Sequence, residues 1–263
     1  MESMILKKSY QNFASPLETI DNIENIDLEK GSVLLVDKPL RWTSFDVVNK
    51  LKYEIRKMFD IKKFKIGHAG TLDPLATGLL IVCIGKCTKL IPEIQSQAKE
   101  YTGTFTIGAT TPSYDLEKQP ENFLPFCHIT KEDIDKATAR LTGVIQQFPP
   151  VFSAVKIDGK RAFDYARNKQ EVTLQPKETE IYSFEITHTD LPKIDFKIAC
   201  SKGTYIRSIA HDFGNLLECG AYLSALRRTK TGDFSVEQAM DMTPFVNIEK
   251  TTNLNRKKRD FDV

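Results

Sequence analysis

The chain has 263 residues, 41% of them hydrophobic and 27% charged, with a formal net charge of +2. It can bury a sizeable core as one large domain or two small ones. No apolar run approaches the ~20 residues that a membrane span needs, and the opening Met1–Lys8 stretch carries an acid early, so the chain is expected in the cytoplasm. Its five cysteines are odd in number and lack any Cys-x-x-Cys pair, which indicates neither a disulfide framework nor a zinc site. A charge of +2 is weak for a protein that must neutralise phosphates, so any nucleic-acid footprint has to be a local patch.

Residues 1–30 are polar and without a clear period, and read as a loosely packed leader. Val33–Val36 is a strand candidate, followed by Asp37-Lys38-Pro39. Ser44 then reads as the N-cap of a helix whose Val47, Val48, Leu51, Ile55, Met58 and Phe59 recur at helical spacing. From Lys50 to Lys65 there are seven cations, Arg56, Lys57, Lys62 and Lys63 among them, against two acids. Such a run is either a solvated helix face or a phosphate-facing patch.

The next stretch, from Gly67 to Gly78, holds three glycines, a histidine at 68 and an acid at 73. Glycine takes positive φ and lets another backbone or a ligand come close, so the segment reads as a shaped loop. Pro74 lacks an N–H and biases Asp73 toward extended backbone, which keeps the carboxylate at the loop's edge. The apolar run Leu79–Ile84 that follows has the length of a strand buried on both faces. A carboxylate so close to a core needs a cation or several N–H donors, or its pKa rises. An Asp-Pro pair of this kind is either a turn whose acid caps backbone groups or a functional acid, and the pattern alone leaves both open.

After the Gly85–Lys89 turn, residues 101–107 alternate with period two, Tyr101, Phe105 and Ile107 on one face and threonines on the other. Tyr101 is thus a core-edge residue or part of a pocket wall. Residues 110–129 have no period and read as a long surface excursion. Thr130 caps a short helix with Ile134, Ala137 and Leu141 inward, closed by Gly143. Asp158-Gly159 marks a turn after a strand, and residues 179–187 and 194–200 are two more strand candidates. A helix from about Ile206 buries Ile209, Ala210, Phe213, Leu216 and Leu217 and stops at Gly220; Tyr205 and Arg207 sit in its first turn or just ahead of it. Ser235-x-x-Gln238 is a capping box for a last short helix.

Gly67-His-Ala-Gly-Thr-Leu-Asp-Pro-Leu-Ala-Thr-Gly78 resembles the catalytic signature of the TruB family of tRNA pseudouridine synthases, and the resemblance spans roughly residues 31 to 240. It implies an α+β pseudouridine synthase fold, with a mixed, largely antiparallel sheet and flanking helices. It implies Asp73 as the catalytic residue and His68, Tyr101, Tyr205, Arg207 and Leu226 as pocket residues, with Arg207 pairing Asp73. Lys38, Arg56, Lys57, Lys62, Lys63, Lys89 and Arg228 become the expected RNA-facing cations. The block Pro149-Pro150-x-x-Ser153-Ala154-x-Lys156 is similar to the family's as well.

On this resemblance the chain is an isomerase: it breaks uracil's N1–C1′ bond, turns the ring and joins C5 to C1′, with no metal or organic cofactor, at uridine-55 in the T-arm of tRNA. The expectation is a monomer with residues 31–240 as the catalytic domain and 241–263 as a short basic tail, the family's PUA-type domain being absent. Rival readings are a non-catalytic tRNA-folding chaperone, a guide-dependent synthase of ribosomal RNA, and a hydrolase with Asp73 as nucleophile.

Overall fold

The computed structural model describes residues 19–152, 156–157, 160–161, 174–242 and 245. The expected turn at 158–159 and the basic run at 256–259 lie outside them. The described chain divides into two compact units, residues 19–91 with 236–242 and 245, and residues 92–235.

In the first unit, β1 (Thr19–Ile20) runs parallel to β2 (Ser32–Lys38), and β2 pairs antiparallel with β4 (Ala76–Ile84). The short β3 (Ile66–His68) lies antiparallel on β4, with His68 opposite Val82. The chain returns at its end to add β13 (Met240–Asp241) parallel to β2. Helix α1 (Ser44–Phe59) buries Val47, Val48, Leu51 and Ile55 against Leu34, Val36, Leu80, Val82 and Ile84, as the helical and strand periods require.

Three expectations change here. Thr43, not Ser44, is the N-cap of α1: its hydroxyl accepts from the Asp46 N–H while the Asp46 carboxylate accepts from the Thr43 N–H, a complete capping box. Part of the expected leader is packed, because Ile20, Ile23, Ile26 and Leu28 recur about every third residue and enter this core. Met242, counted with the basic tail, is fully buried in the same core, with Phe245 packed on it.

In the second unit, reached through α2 (Ile91–Ser96), five strands form an antiparallel array. Their order is β11 (Ala221–Thr231), β5 (Lys99–Ile107), β10 (Lys193–Cys200), β9 (Lys177–Asp190) and β6 (Gly143–Gln147). The hairpin β7 (Lys156–Ile157) and β8 (Lys160–Arg161) stands apart, and β12 (Phe234–Ser235) pairs β11. Helix α3 (Lys131–Arg140) begins at a Thr130–Asp133 capping box, and Gly143 opens β6 at a φ of 93° rather than closing the helix. Helix α4 (Ile206–Leu216) buries Ile206, Ile209, Ala210 and Phe213. Phe105 lies at the centre of this core, its ring 4.1 Å from that of Phe196 and 5.4 Å from that of Phe213. The long segment after β5 has neither helix nor strand, only single bridges at Thr110 and Asp115. Pairings of both senses, mostly antiparallel, with helices packed beside them make the fold α+β.

Candidate active site

In the first unit Asp73 stands, partly buried, in the loop between β3 and β4. Gly70 and Gly78 adopt φ of 101° and 100°, so the loop uses the freedom expected of them. At Gly67 a Cβ would lie 3.0 Å from Ile91 Cδ1, a tight contact that the isoleucine's end would have to ease. The loop is closed by the Ala69 N–H on Ile81 O at 2.8 Å and the Ala76 N–H on Asp73 O at 3.0 Å. His68, the last residue of β3, is half-buried at the loop's entrance.

Lys38 is not an outward cation. It is 0% exposed, and its Nζ donates to the carbonyls of Pro39 at 2.9 Å and Trp42 at 2.6 Å. An ammonium taken out of water requires such acceptors, so its charge shapes the 39–42 turn instead of meeting a phosphate. Arg56, Lys57, Lys62, Lys63 and Lys89 are exposed as expected. Arg56 and Lys57 lie in the last turn of α1, where the helix dipole also favours cations.

In the second unit, β5 and β11 bring Tyr101 opposite Arg228 and Gly103 opposite Leu226. Tyr101 is buried on the inner face of β5 with Phe105 and Ile107, and threonines occupy the other face. Arg228 is 1% exposed, so it too departs from the expected RNA-facing set. It lies beside Lys99, whose Nζ donates to the carbonyls of Gln95 at 2.7 Å and Gln97 at 2.5 Å. Burial, reinforced by the charge of Arg228, pulls the Lys99 pKa down to about 8.

Tyr205 is the N-cap residue of α4, and Gln147 grips its backbone twice: the Tyr205 N–H donates to Oε1 at 2.8 Å and Nε2 donates to Tyr205 O at 3.1 Å. Arg207, 5% exposed, donates from Nη1 to Phe152 O at 3.0 Å and Ser113 O at 3.4 Å. Its Nε lies 3.7 Å from Oδ2 of Asp115, itself 5% exposed. Asp115, Ser113 and Gln147 escaped sequence reasoning. The signal for Asp115 was its spacing to Glu117, whose N–H donates to Asp115 Oδ1 at 3.0 Å in an Asx turn. On α4, His211 is stacked against Tyr114 with ring centroids 4.1 Å apart, and burial raises the Asp212 carboxyl to about 6. A cavity of about 960 Å³ in this unit, between α3 and the end of β9, is lined by Ile134, Phe184, Ile186 and His188 and contains none of the expected site residues.

Comparison with known proteins gives a consistent answer. The profile "TruB family pseudouridylate synthase (N terminal domain)" matches residues 56–206, and "tRNA pseudouridylate synthase B C-terminal domain" matches residues 207–259. The chain is 56% identical to tRNA pseudouridine synthase B of Flavobacterium johnsoniae, over 82% of this chain and 95% of that one. It is 50% identical to tRNA pseudouridine synthase B of Phocaeicola vulgatus, over 84% and 94%. Among solved structures, a Cbf5-Nop10-Gar1 complex resembles it with a TM-score of 0.61 and 26% identity, over 89% of this chain and 60% of that chain. No helix among the described residues is long and apolar enough to cross a membrane.

Proposed function

Since the chain belongs to the TruB family of pseudouridylate synthases and isomerises uridine to pseudouridine in tRNA, we propose that it acts on uridine-55 of the T-arm with Asp73 as its catalytic residue. A base stacked inside an RNA arm is out of reach, so the uridine is first flipped into the pocket, at an unstacking cost of a few kcal/mol. His68 occupies or holds the space it leaves. The N1–C1′ bond then breaks, the ring turns, C5 bonds to C1′, and the C5 proton leaves while N1 gains one, which makes the reaction a balanced isomerisation. In this reading Asp73 serves as nucleophile or base, Tyr101 provides an aromatic face for the flipped ring, and Tyr205 and Leu226 contact the same uridine.

The observation that carries this reading is the carboxylate's setting: a partly buried acid in a glycine-shaped loop whose backbone is hydrogen-bonded on both sides. The exposed cations of α1 and the following loop, with Lys89, supply the contact with phosphates. All these residues come from one chain, so the reading takes a monomer as the active form. Five free cysteines suit the reducing cytoplasm, where we place it.

The test is release of the C5 hydrogen from tRNA labelled at uridine C5. Asp73→Asn keeps shape and removes charge and nucleophilicity, so release should stop while tRNA affinity stays within a few-fold. Multiple turnover above a few per cent of the parent's would sink the assignment, and a T-arm hairpin lacking uridine at the target should give no release.

A further inference from the structure

The segment between β2 and α1 does more than lead into the helix. Ser44, the first residue of α1, is 2% exposed, and its hydroxyl has no role at the helix end because Thr43 and Asp46 already form the cap. The hydroxyl instead reaches 28 residues along the chain: it accepts from the Leu72 N–H at 2.9 Å and donates to Leu72 O at 3.3 Å. Leu72 itself is buried and immediately precedes Asp73. On the other side of the acid, the Pro74 carbonyl accepts from the Arg41 N–H at 2.7 Å. Arg41 presents that N–H from a left-handed φ of 68°, in the turn that the buried Lys38 ammonium holds through Pro39 O and Trp42 O. Strained backbone of this kind persists where its surroundings over-determine it.

Asp73 is therefore flanked by two backbone anchors from one segment, and its own carbonyl is taken by the Ala76 N–H. A carboxylate on a loop has several rotamers and a backbone that can tilt, and misplacement of a reacting group by about 1 Å costs on the order of 100-fold in rate. We propose that Ser44 is a positioning residue of the reaction: its hydroxyl, acting with the Arg41 N–H across the acid, holds the backbone that presents the Asp73 carboxylate to the substrate. This rests on the reading of Asp73 as the catalytic residue. Ser44 touches neither substrate nor reacting atoms, so its effect belongs in the chemical step and not in RNA affinity.

The experiment compares Ser44→Ala, Ser44→Cys, Thr43→Ala and Asp73→Asn in the full chain, measuring the single-turnover rate of C5-hydrogen release, tRNA affinity and thermal unfolding. Cysteine fills the serine's space with a much weaker hydrogen-bonding group, so it tests the same loss in a site that stays packed if the alanine variant folds poorly. The expected result is a fivefold or greater fall in rate for the Ala and Cys variants, with tRNA affinity within twofold of the parent's. Thr43→Ala removes the helix cap, so it should lower the melting temperature without changing the rate per folded molecule. Rates within fivefold of the parent's in both Ser44 variants, or an equal rate loss in Thr43→Ala, would overturn the proposal. If Asp73→Asn keeps turning over, the reading of Asp73 fails first. If Asp73→Asn is inactive and both Ser44 variants are normal, the positioning role alone fails.

Discussion

Asp115 is the acid that the second unit places against Arg207, and removing its charge should destabilise that unit. The two side chains are each about 5% exposed and approach to 3.7 Å. At that separation the attraction is about 4 kcal/mol for an effective dielectric of about 20. Asp115→Asn keeps the shape and the acceptor for the Glu117 N–H, and removes the charge that faces the buried guanidinium, which also donates to the carbonyls of Phe152 and Ser113. Breaking a buried pair from one side costs about 3–5 kcal/mol, and because the guanidinium keeps its carbonyl acceptors, the low end, about 3 kcal/mol, is expected. For a chain of this size that is a fall in melting temperature of about 6–12 °C. Arg207→Gln should be at least as damaging, since it uncovers Asp115 and two carbonyls together. The decisive measurement is the double variant in urea unfolding. With both charges gone neither is stranded, so its loss should be smaller than the sum of the single losses by about 2 kcal/mol or more. Additivity within about 0.5 kcal/mol would show that the two groups do not interact and would refute the reasoning.

Reversing Arg56 and Lys57 to Glu should weaken binding of all tRNAs alike and lower the slope of log affinity against log salt by about 2, since each phosphate contact contributes about 0.9 to it; an unchanged slope would make the patch a solvated helix face. Asp212→Asn should raise the melting temperature at pH 7.5, because burial lifts the native carboxyl to about 6 from an ordinary 3.8 and ionised Asp212 is thus destabilising above both values. The gain should shrink as the pH falls through 6 and vanish near 4, where the carboxyl is protonated in the unfolded chain as well; melts at pH 7.5, 5.5 and 4 that show a constant or growing gain would contradict this.

Apolar period was enough to find α1, β2, β4 and β5 because burial of a helix or strand face repeats along the chain. Val47, Val48, Leu51 and Ile55 meet the core at helical spacing, and Tyr101, Phe105 and Ile107 do so at every second position. The proposed site rests on a different signal: the twelve residues from Gly67 to Gly78 form one continuous word, so their resemblance needs no folding to be read. Polar partnerships across the chain carry neither signal. Ser44 meets Leu72 28 residues on, and Arg207 reaches Ser113 across 94 residues, so nothing local marks them. The capping error was avoidable, since Thr43 is the residue with an acid three positions later and Ser44 is not.

The two misplaced cations show where charge alone misleads and strand parity does not. Lys38 stands two residues beyond Val36 and four beyond Leu34 on one strand, and both of those side chains enter the core under α1. Side chains of one parity share a face, so an outward Lys38 would have required a break in the strand that Val33–Val36 gives no reason to expect. An ammonium so directed must end on carbonyls, and the turn at Pro39 and Trp42 provides them. Arg228 follows the same rule through its neighbour: it sits opposite Tyr101, whose parity with Phe105 and Ile107 points it inward, and directly paired strand residues project to the same side of the sheet. Both cations are internal because the strand period outranks the preference of a charge for water, and for Lys38 the cost is met by the carbonyls of Pro39 and Trp42. The cations proposed to meet RNA are the exposed ones, Lys89 and those on α1 and the loop after it, where the helical period turns Arg56 and Lys57 away from Ile55 and the core.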